Sequence, residues 1–280
     1  MDNLIRRSLT GVFIVLFVLG GFWLHPVSFV LTGYILLAGA QYEYYNMIRS
    51  TGIKPQIAAG IIAGSAVYAI SVLVSSGMLK PRWYLILIPL SAAIMIAELY
   101  RKTEKPFDSL AHTFFPVTYS AVPFSMFPFS AFSHTGLEPL LKTGNMIFSP
   151  GIVVGFFILL WINDSGAYLA GVSFGKHHLM ERISPKKSWE GFAGGFILTI
   201  VAAWFLSGWM GVVDKKGWIV ISVIISVMGT YGDLVESMLK RSTGVKDSGN
   251  IMPGHGGFLD RFDSTIISFP MVFLYITLFG

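Results

Sequence analysis

The chain has 280 residues, of which 54% are hydrophobic and only 12% charged, about half the charge fraction of a soluble domain of this length, so a large soluble domain is excluded. The absence of cysteine excludes disulfides and thiolate metal sites. The net charge of +5 suits anionic lipid head groups, and no soluble segment carries the basic face with interleaved aromatics that nucleic acid requires, so no nucleic-acid partner is expected.

In chain order, Arg6 and Arg7 precede an apolar run over 9–24. A basic start before an apolar run can be a signal peptide, but this run has no small-residue cleavage pattern. His25-Pro26 leads straight into another apolar run, so the first is read as a retained helix. Further helices are expected over 27–47, 57–78, 83–100, 111–132, 152–172, 191–209, 218–236 and 264–279, most of them close to the length that spans a bilayer. The expected fold class is an all-α polytopic integral membrane protein with about nine transmembrane helices. It forms a single transmembrane domain over 1–280, with 1–150 a scaffold or lipid-facing part and 151–280 the catalytic part. Pro116, Pro123 and Pro128 imply a kink or break in 111–132. The short first helix could form a re-entrant hairpin with the second. Small-residue pairs at Gly60/Gly64, Gly151/Gly155 and Gly191/Gly195 read as close helix packing within one chain in preference to a homodimer contact.

Lys and Arg on alternate sides give the orientation. With the N-terminus in the cytoplasm, the inner segments hold fifteen of the 20 basic residues. This bias puts the polar loops over 173–190 and 237–263 on the cytoplasmic side of the inner membrane, where nucleotides are found.

The remaining charge is unevenly spread. Asp164 lies within an otherwise apolar helix, beside Asn163 and Ser165. A carboxylate at a helix centre costs about 2.5–3.5 kcal/mol on insertion scales and marks a functional position or a structural hydrogen bond to a neighbouring helix. The stretch from Gly175 to Gly195 carries Lys176, Lys186 and Lys187, with hydroxyls at Ser184 and Ser188. A helix is expected to begin near Ser188, and lysines beside a helix N-terminus make an anion site; a basic loop that only sets topology is the equal alternative. His177 and His178 read as interfacial side chains. Asp233 and Glu236 are three apart, so they share a helix face that Ser237 and Lys240 continue. Asp260 and Asp263 have the same spacing. Carboxylates from two helix ends can converge on a hard cation such as Mg²⁺. Gly254, Gly256 and Gly257 around His255 let the backbone turn and approach a ligand closely. The spacings of soluble nucleotide-binding loops are absent.

The segment SMLKRSTGVKDSGNIMPGHGGFLDRFD, from Ser237 to Asp263, resembles the signature of the phosphatidate cytidylyltransferases, also called CDP-diacylglycerol synthases. That pattern runs S-x-x-K-R, K-D, H-G-G and D-R-x-D. It is filled here by Ser237, Lys240, Arg241, Lys246, Asp247, His255, Gly256, Gly257, Asp260, Arg261 and Asp263. Residues 163–168 and 184–188 are similar to the family's other recurring stretches. The resemblance covers roughly the C-terminal half; the first 150 residues match only in being hydrophobic.

The resemblance implies CTP and phosphatidic acid as substrates in a lipid membrane, CDP-diacylglycerol and pyrophosphate as products, and Mg²⁺ as cofactor. Asp233 and Asp260 are expected to hold the metal, with Asp164, Glu236 and Asp263 as further ligands or outer partners. Five carboxylates exceed what one Mg²⁺ usually takes, which leaves room for a second cation. Lys240, Arg241, Lys246 and Arg261 are expected to clamp phosphates. Lys186, Lys187 and Ser188 would hold the triphosphate or the lipid phosphate, and Ser237, Asp247, His255, Gly256 and Gly257 complete the expected substrate site. Two other readings remain open. One is a cation-coupled transporter using Asp164 and Asp233 as an ion relay, although no inverted repeat is visible. The other is a membrane transferase for a different CDP-linked or prenyl substrate.

Overall fold

Proline and a local cap decide where the first two helices part. Helix α1 runs Asn3–Leu24 and α2 runs Pro26–Arg49. Between them, His25 Nδ1 accepts from Val27 N at 3.1 Å and Ser28 Oγ accepts from His25 N at 3.1 Å. This reciprocal cap satisfies backbone donors that a helix start leaves open, and proline at the first position has no such donor to lose. The computed structural model describes residues 3–134, 146–249, 251 and 256–279. These fall into two units: Met1–Pro150 with Asp247–Arg261, and Gly151–Lys246 with Phe262–Gly280.

In the first unit α3 spans Ile57–Ser75, and a 3₁₀ turn over Pro81–Ile86 leads into α4, Leu87–Leu99. The expected helix over 111–132 is broken as its prolines require. It becomes α5 (Pro106–Pro116), a π turn (Val117–Ala121) and α6 (Val122–Ala131); Pro116 and Pro123, which cannot donate a helix hydrogen bond, flank the break, while α6 runs on through Pro128. A short antiparallel pair follows, β1 (Phe132–His134) with β2 (Met146–Phe148). The aromatic core of this unit includes Phe22, Phe29, Phe124 and Phe127, all fully buried. The Phe22 ring meets Phe29 at 4.9 Å and Phe127 at 5.5 Å, both edge-on, the arrangement aromatic quadrupoles favour. Glu98 is buried, and its carboxylate accepts from Gln56 Nε2 (2.7 Å), Thr103 Oγ1 (2.6 Å) and Arg101 Nη1 (2.8 Å). It ties the end of α4 to the start of α3.

The second unit contains α7 (Gly151–Phe174), a hairpin of β3 (His178–Met180) and β4 (Ser184–Ser188), α8 (Trp189–Met210) and α9 (Lys215–Ser242). It also contains α10 (Leu259–Phe279) from Phe262 onward. A β-carbon at Gly155 would strike the buried Trp218 indole, and one at Gly195 would lie 2.7 Å from the Asn163 carbonyl. Gly60 likewise faces Tyr45, and Gly64 faces Gln41. The small residues therefore serve close packing inside the chain.

Among the described residues six helices are long and apolar enough to cross a membrane: Ile57–Ser75, Pro81–Leu99, Gly151–Phe174, Trp189–Met210, Lys215–Ser242 and Leu259–Phe279. The other three expected spans are helical but shorter, more polar or interrupted. The apolar part of α1 is Leu9–Leu24, α2 carries Gln41, Glu43 and Arg49, and 111–132 is broken. On α8, Ile197, Val201 and Phe205 form an exposed stripe at intervals of four. On a soluble protein such a stripe would be an association surface, whereas on a bilayer-length helix it suits hydrocarbon.

Candidate functional site

Most of the acidic residues singled out in the sequence stand in the second unit. Helix α9 starts at an Asp214 cap, whose Oδ1 accepts from Gly217 N at 2.7 Å. It continues well past the expected end at 236, to Ser242. Asp233, Glu236, Ser237, Lys240 and Arg241 therefore all ride on one helix. Asp233 Oδ1 accepts from Ser237 Oγ at 3.2 Å, and Asp233 Oδ2 pairs with Lys187 Nζ at 2.6 Å. Glu236 is fully buried and pairs with Lys240 Nζ at 2.5 Å. Asp263, also buried, accepts from Ser264 N, and its charged neighbours are Asp233, Glu236 and Asp164. Asp164 sits on an exposed position of α7. Four carboxylates are thus within electrostatic reach of Asp263 or include it, with Lys187 and Lys240 as counter-ions.

Gly232 makes the approach to Asp263 possible. A β-carbon there would lie 2.8 Å from both the Asp263 carbonyl and Ser264 Cα. Both are backbone atoms of a packed helix and cannot swing aside. Gly232→Ala is expected to cost about 1–3 kcal/mol by overpacking, read as a lowered unfolding midpoint in detergent.

The basic stretch before α8 is a hairpin, an element the sequence reading did not anticipate. Lys186 is exposed and Lys187 half-buried on β4. Ser188 caps α8, its Oγ accepting from Gly191 N at 3.1 Å, close to where that helix was expected to begin. Glu190 Oε2 accepts from Lys176 N (3.1 Å) and His177 N (3.2 Å), and Glu190 Oε1 meets His177 Nδ1 at 2.6 Å. His177 is therefore engaged by a carboxylate, and His178 is exposed on β3.

The rest of the signature segment, Asp247–Arg261, stands in the first unit. Asp260 Oδ2 accepts two backbone donors, Ser248 N at 3.0 Å and Gly257 N at 2.9 Å. Gly256 has φ +81, and a β-carbon there would lie 2.8 Å from Asp260 Oδ2, so both the backbone angle and the space call for glycine. Asp247 and Arg261 are exposed in this unit, as Arg241 and Lys246 are in the other. His255 lies outside the described residues, as does Gly254. Asp260 stands in the first unit and Asp233 in the second.

The donor set suits a hard cation: it is made of carboxylate and hydroxyl oxygens, and the chain has no thiolate to offer. Among the described residues no group of three or more His, Asp or Glu side chains is already drawn together as a coordination shell. Two of the acidic side chains are instead paired with lysines.

Residues 5–279 match the sequence profile of the cytidylyltransferase family. The chain belongs to that family. A protein named phosphatidate cytidylyltransferase from Staphylococcus haemolyticus is 33% identical over 269 residues, 95% of this chain and 96% of that protein. A protein of the same name from Bacillus subtilis is 46% identical over 124 residues, covering 44% of this chain and 46% of the relative. Another, from Haemophilus influenzae, is 46% identical over 119 residues, covering 41% of each. The chain thus spans under half the length of these last two relatives. Family membership extends over the N-terminal half as well, where the sequence offered only hydrophobicity. That half also holds a carboxylate that no motif flagged: Glu43, 2% exposed on α2. It accepts from Ser248 Oγ (2.8 Å) and Leu259 N (2.9 Å). The signal for it was a lone acid in the apolar stretch before Arg49, comparable to Asp164.

Proposed function

We propose that this member of the cytidylyltransferase family transfers the cytidylyl group of CTP to phosphatidic acid, giving CDP-diacylglycerol and pyrophosphate. The observation that carries the reading is the filled signature from Ser237 to Asp263, within a profile match that runs nearly end to end. The full-length similarity to a relative of that name supports it.

A phosphatidate oxygen attacks the α-phosphorus of CTP in line, and pyrophosphate leaves. The lipid phosphate carries about −1.5 to −2 charge at pH 7, so it needs no general base. The obstacle is the repulsion of two polyanions, which positioning and charge neutralisation overcome. Asp233 and Asp260 would hold Mg²⁺, with Asp164, Glu236 and Asp263 as further ligands or outer partners, and the ion would supply neutralising charge. Lys240, Arg241, Lys246 and Arg261 clamp phosphates, the arginines through paired donors. Lys186, Lys187 and Ser188 hold the triphosphate or the lipid phosphate. The Lys187–Asp233 pair supports this in one respect: cationic and acidic members of the set already lie within reach of each other. The excess of Lys and Arg on one side of the expected spans supports a site open to the cytoplasm.

The test is pyrophosphate release by the purified protein. Release is expected only when CTP, phosphatidate and a divalent cation are all present. Release with CTP and another acceptor lipid, but not with phosphatidate, would overturn the substrate assignment. Uptake of a cation into sealed vesicles without any CTP consumption would overturn the reading altogether.

A further inference from the structure

The segment that carries Asp260 is held in the first unit by α2. Helix α2 presents two successive positions on one face, Gly39 and Glu43, four residues apart. A β-carbon at Gly39 would lie 2.6 Å from the Phe258 ring, so the missing side chain makes a seat for that aromatic. One turn further on, Glu43 Oε2 takes the Ser248 hydroxyl and the Leu259 backbone N–H, one donor from each end of the segment. Glycines close the grip: a β-carbon at Gly249 would lie 2.5 Å from Glu43 Oε1, and one at Gly257 would fall on Oε2. Two of the residues that Glu43 binds or presses against, Ser248 and Gly257, are those whose backbone N–H groups hold Asp260 Oδ2. One buried carboxylate thus organises the loop that aims another.

We infer that Glu43 is a positioning residue for the reaction: it clamps the ends of 248–259 and so sets the direction of the Asp260 carboxylate. Glu43 touches neither substrate nor reacting atoms and acts through the loop. Hydrogen bonds to a buried acceptor are strengthened where water is excluded, and a displacement of about 1 Å in a group that orients the reactants can cost on the order of 100-fold in rate. The inference rests on the proposed function for its effect on turnover, but not for its structural half.

The experiment therefore has two readouts. The chain has no cysteine, so Ile251→Cys, at a position 48% exposed within the segment, provides a unique site for a nitroxide label. In that background Glu43→Leu, which removes the acceptor altogether, is compared with Glu98→Leu, which removes a buried carboxylate of the same unit that does not touch the segment. Glu43→Leu is expected to raise label mobility and to lower kcat at least about 10-fold, with KM for CTP and phosphatidate within about threefold. Glu98→Leu is expected to leave label mobility and kcat unchanged, whatever it does to the unfolding midpoint. Unchanged mobility in folded Glu43→Leu overturns the clamp. Raised mobility with unchanged kcat overturns the positioning role. If the wild type and the Ile251→Cys parent both fail to release pyrophosphate, the proposed function falls while the mobility comparison still decides the clamp. Should Glu43→Leu not fold, Ser248→Ala removes only the hydroxyl donor, and the same two readouts, in the same directions, decide.

Discussion

Asp260→Asn is expected to abolish CTP-dependent pyrophosphate release, by about 1,000-fold or more, while the protein still inserts and unfolds near the wild-type midpoint. The geometry separates the two effects. Asp260 Oδ2 accepts from Ser248 N and Gly257 N, and an amide oxygen of the same shape can accept both. The loop therefore keeps its form, at the modest cost of exchanging charge-assisted hydrogen bonds for neutral ones. What disappears is the negative charge. If that charge binds a divalent cation, its loss removes electrostatic stabilisation of a kind worth 100- to 1,000-fold per group in comparable sites, and the metal occupancy with it. The decisive measurement is turnover across a Mg²⁺ series beside a thermal unfolding curve in the same detergent. Activity within about 10-fold of wild type at saturating Mg²⁺ would remove Asp260 from the metal assignment. A large drop in the midpoint would instead show that the carboxylate is chiefly a loop brace.

The parts of this protein that could be read from its sequence are those fixed by local chemistry. Helix α8 begins next to Ser188 because a hydroxyl there can cap it, and 111–132 breaks because proline cannot donate. Both rules act within a few residues. The extension of α9 was legible in the spacing that carries the Asp233–Glu236 face on through Ser237 and Lys240, but not in hydropathy, where a polar helical turn beyond an apolar run resembles a loop. The β3–β4 hairpin was missed for a related reason: its strands are short and lysine-rich, without the apolar alternation that announces a strand. Glu43 could be noticed as a lone acid in an apolar stretch, but its role could not be read. Its partners stand 205 and 216 residues away, and nothing local distinguishes a buried acid that grips a distant loop from one that snorkels to the head groups. The Lys187–Asp233 pair is a middle case. Both residues drew attention, one as a phosphate ligand and one as a metal ligand, but their contact depends on how β4 and α9 pack within the second unit.

Lys240→Met should destabilise the protein by about 3–5 kcal/mol, and pairing it with Glu236→Gln should recover most of that loss without restoring turnover. Glu236 is fully buried and its ammonium partner is 2.5 Å away, with the Lys240 side chain only 12% exposed. Removing one member of a buried ion pair takes a close compensating charge from the other, which costs far more than the net worth of the pair. Removing both replaces two buried charges by a neutral amide and an apolar chain of similar length, which is often nearly neutral for stability. Glu236 is also a charged neighbour of Asp263, as Asp233 is, so the pair borders the proposed metal ligands and stability has to be separated from catalysis. A double-mutant cycle does so, with unfolding midpoints read in one detergent and pyrophosphate release read from the same samples. If the double variant regains both stability and activity, the pair is only a packing device, and both residues leave the proposed machinery. If it regains stability alone, these charges are kept in an apolar helix end for the chemistry they do on phosphates and cations. A single Lys240→Met variant that loses less than about 1 kcal/mol would show that the ammonium contributes no more than an ordinary surface pair.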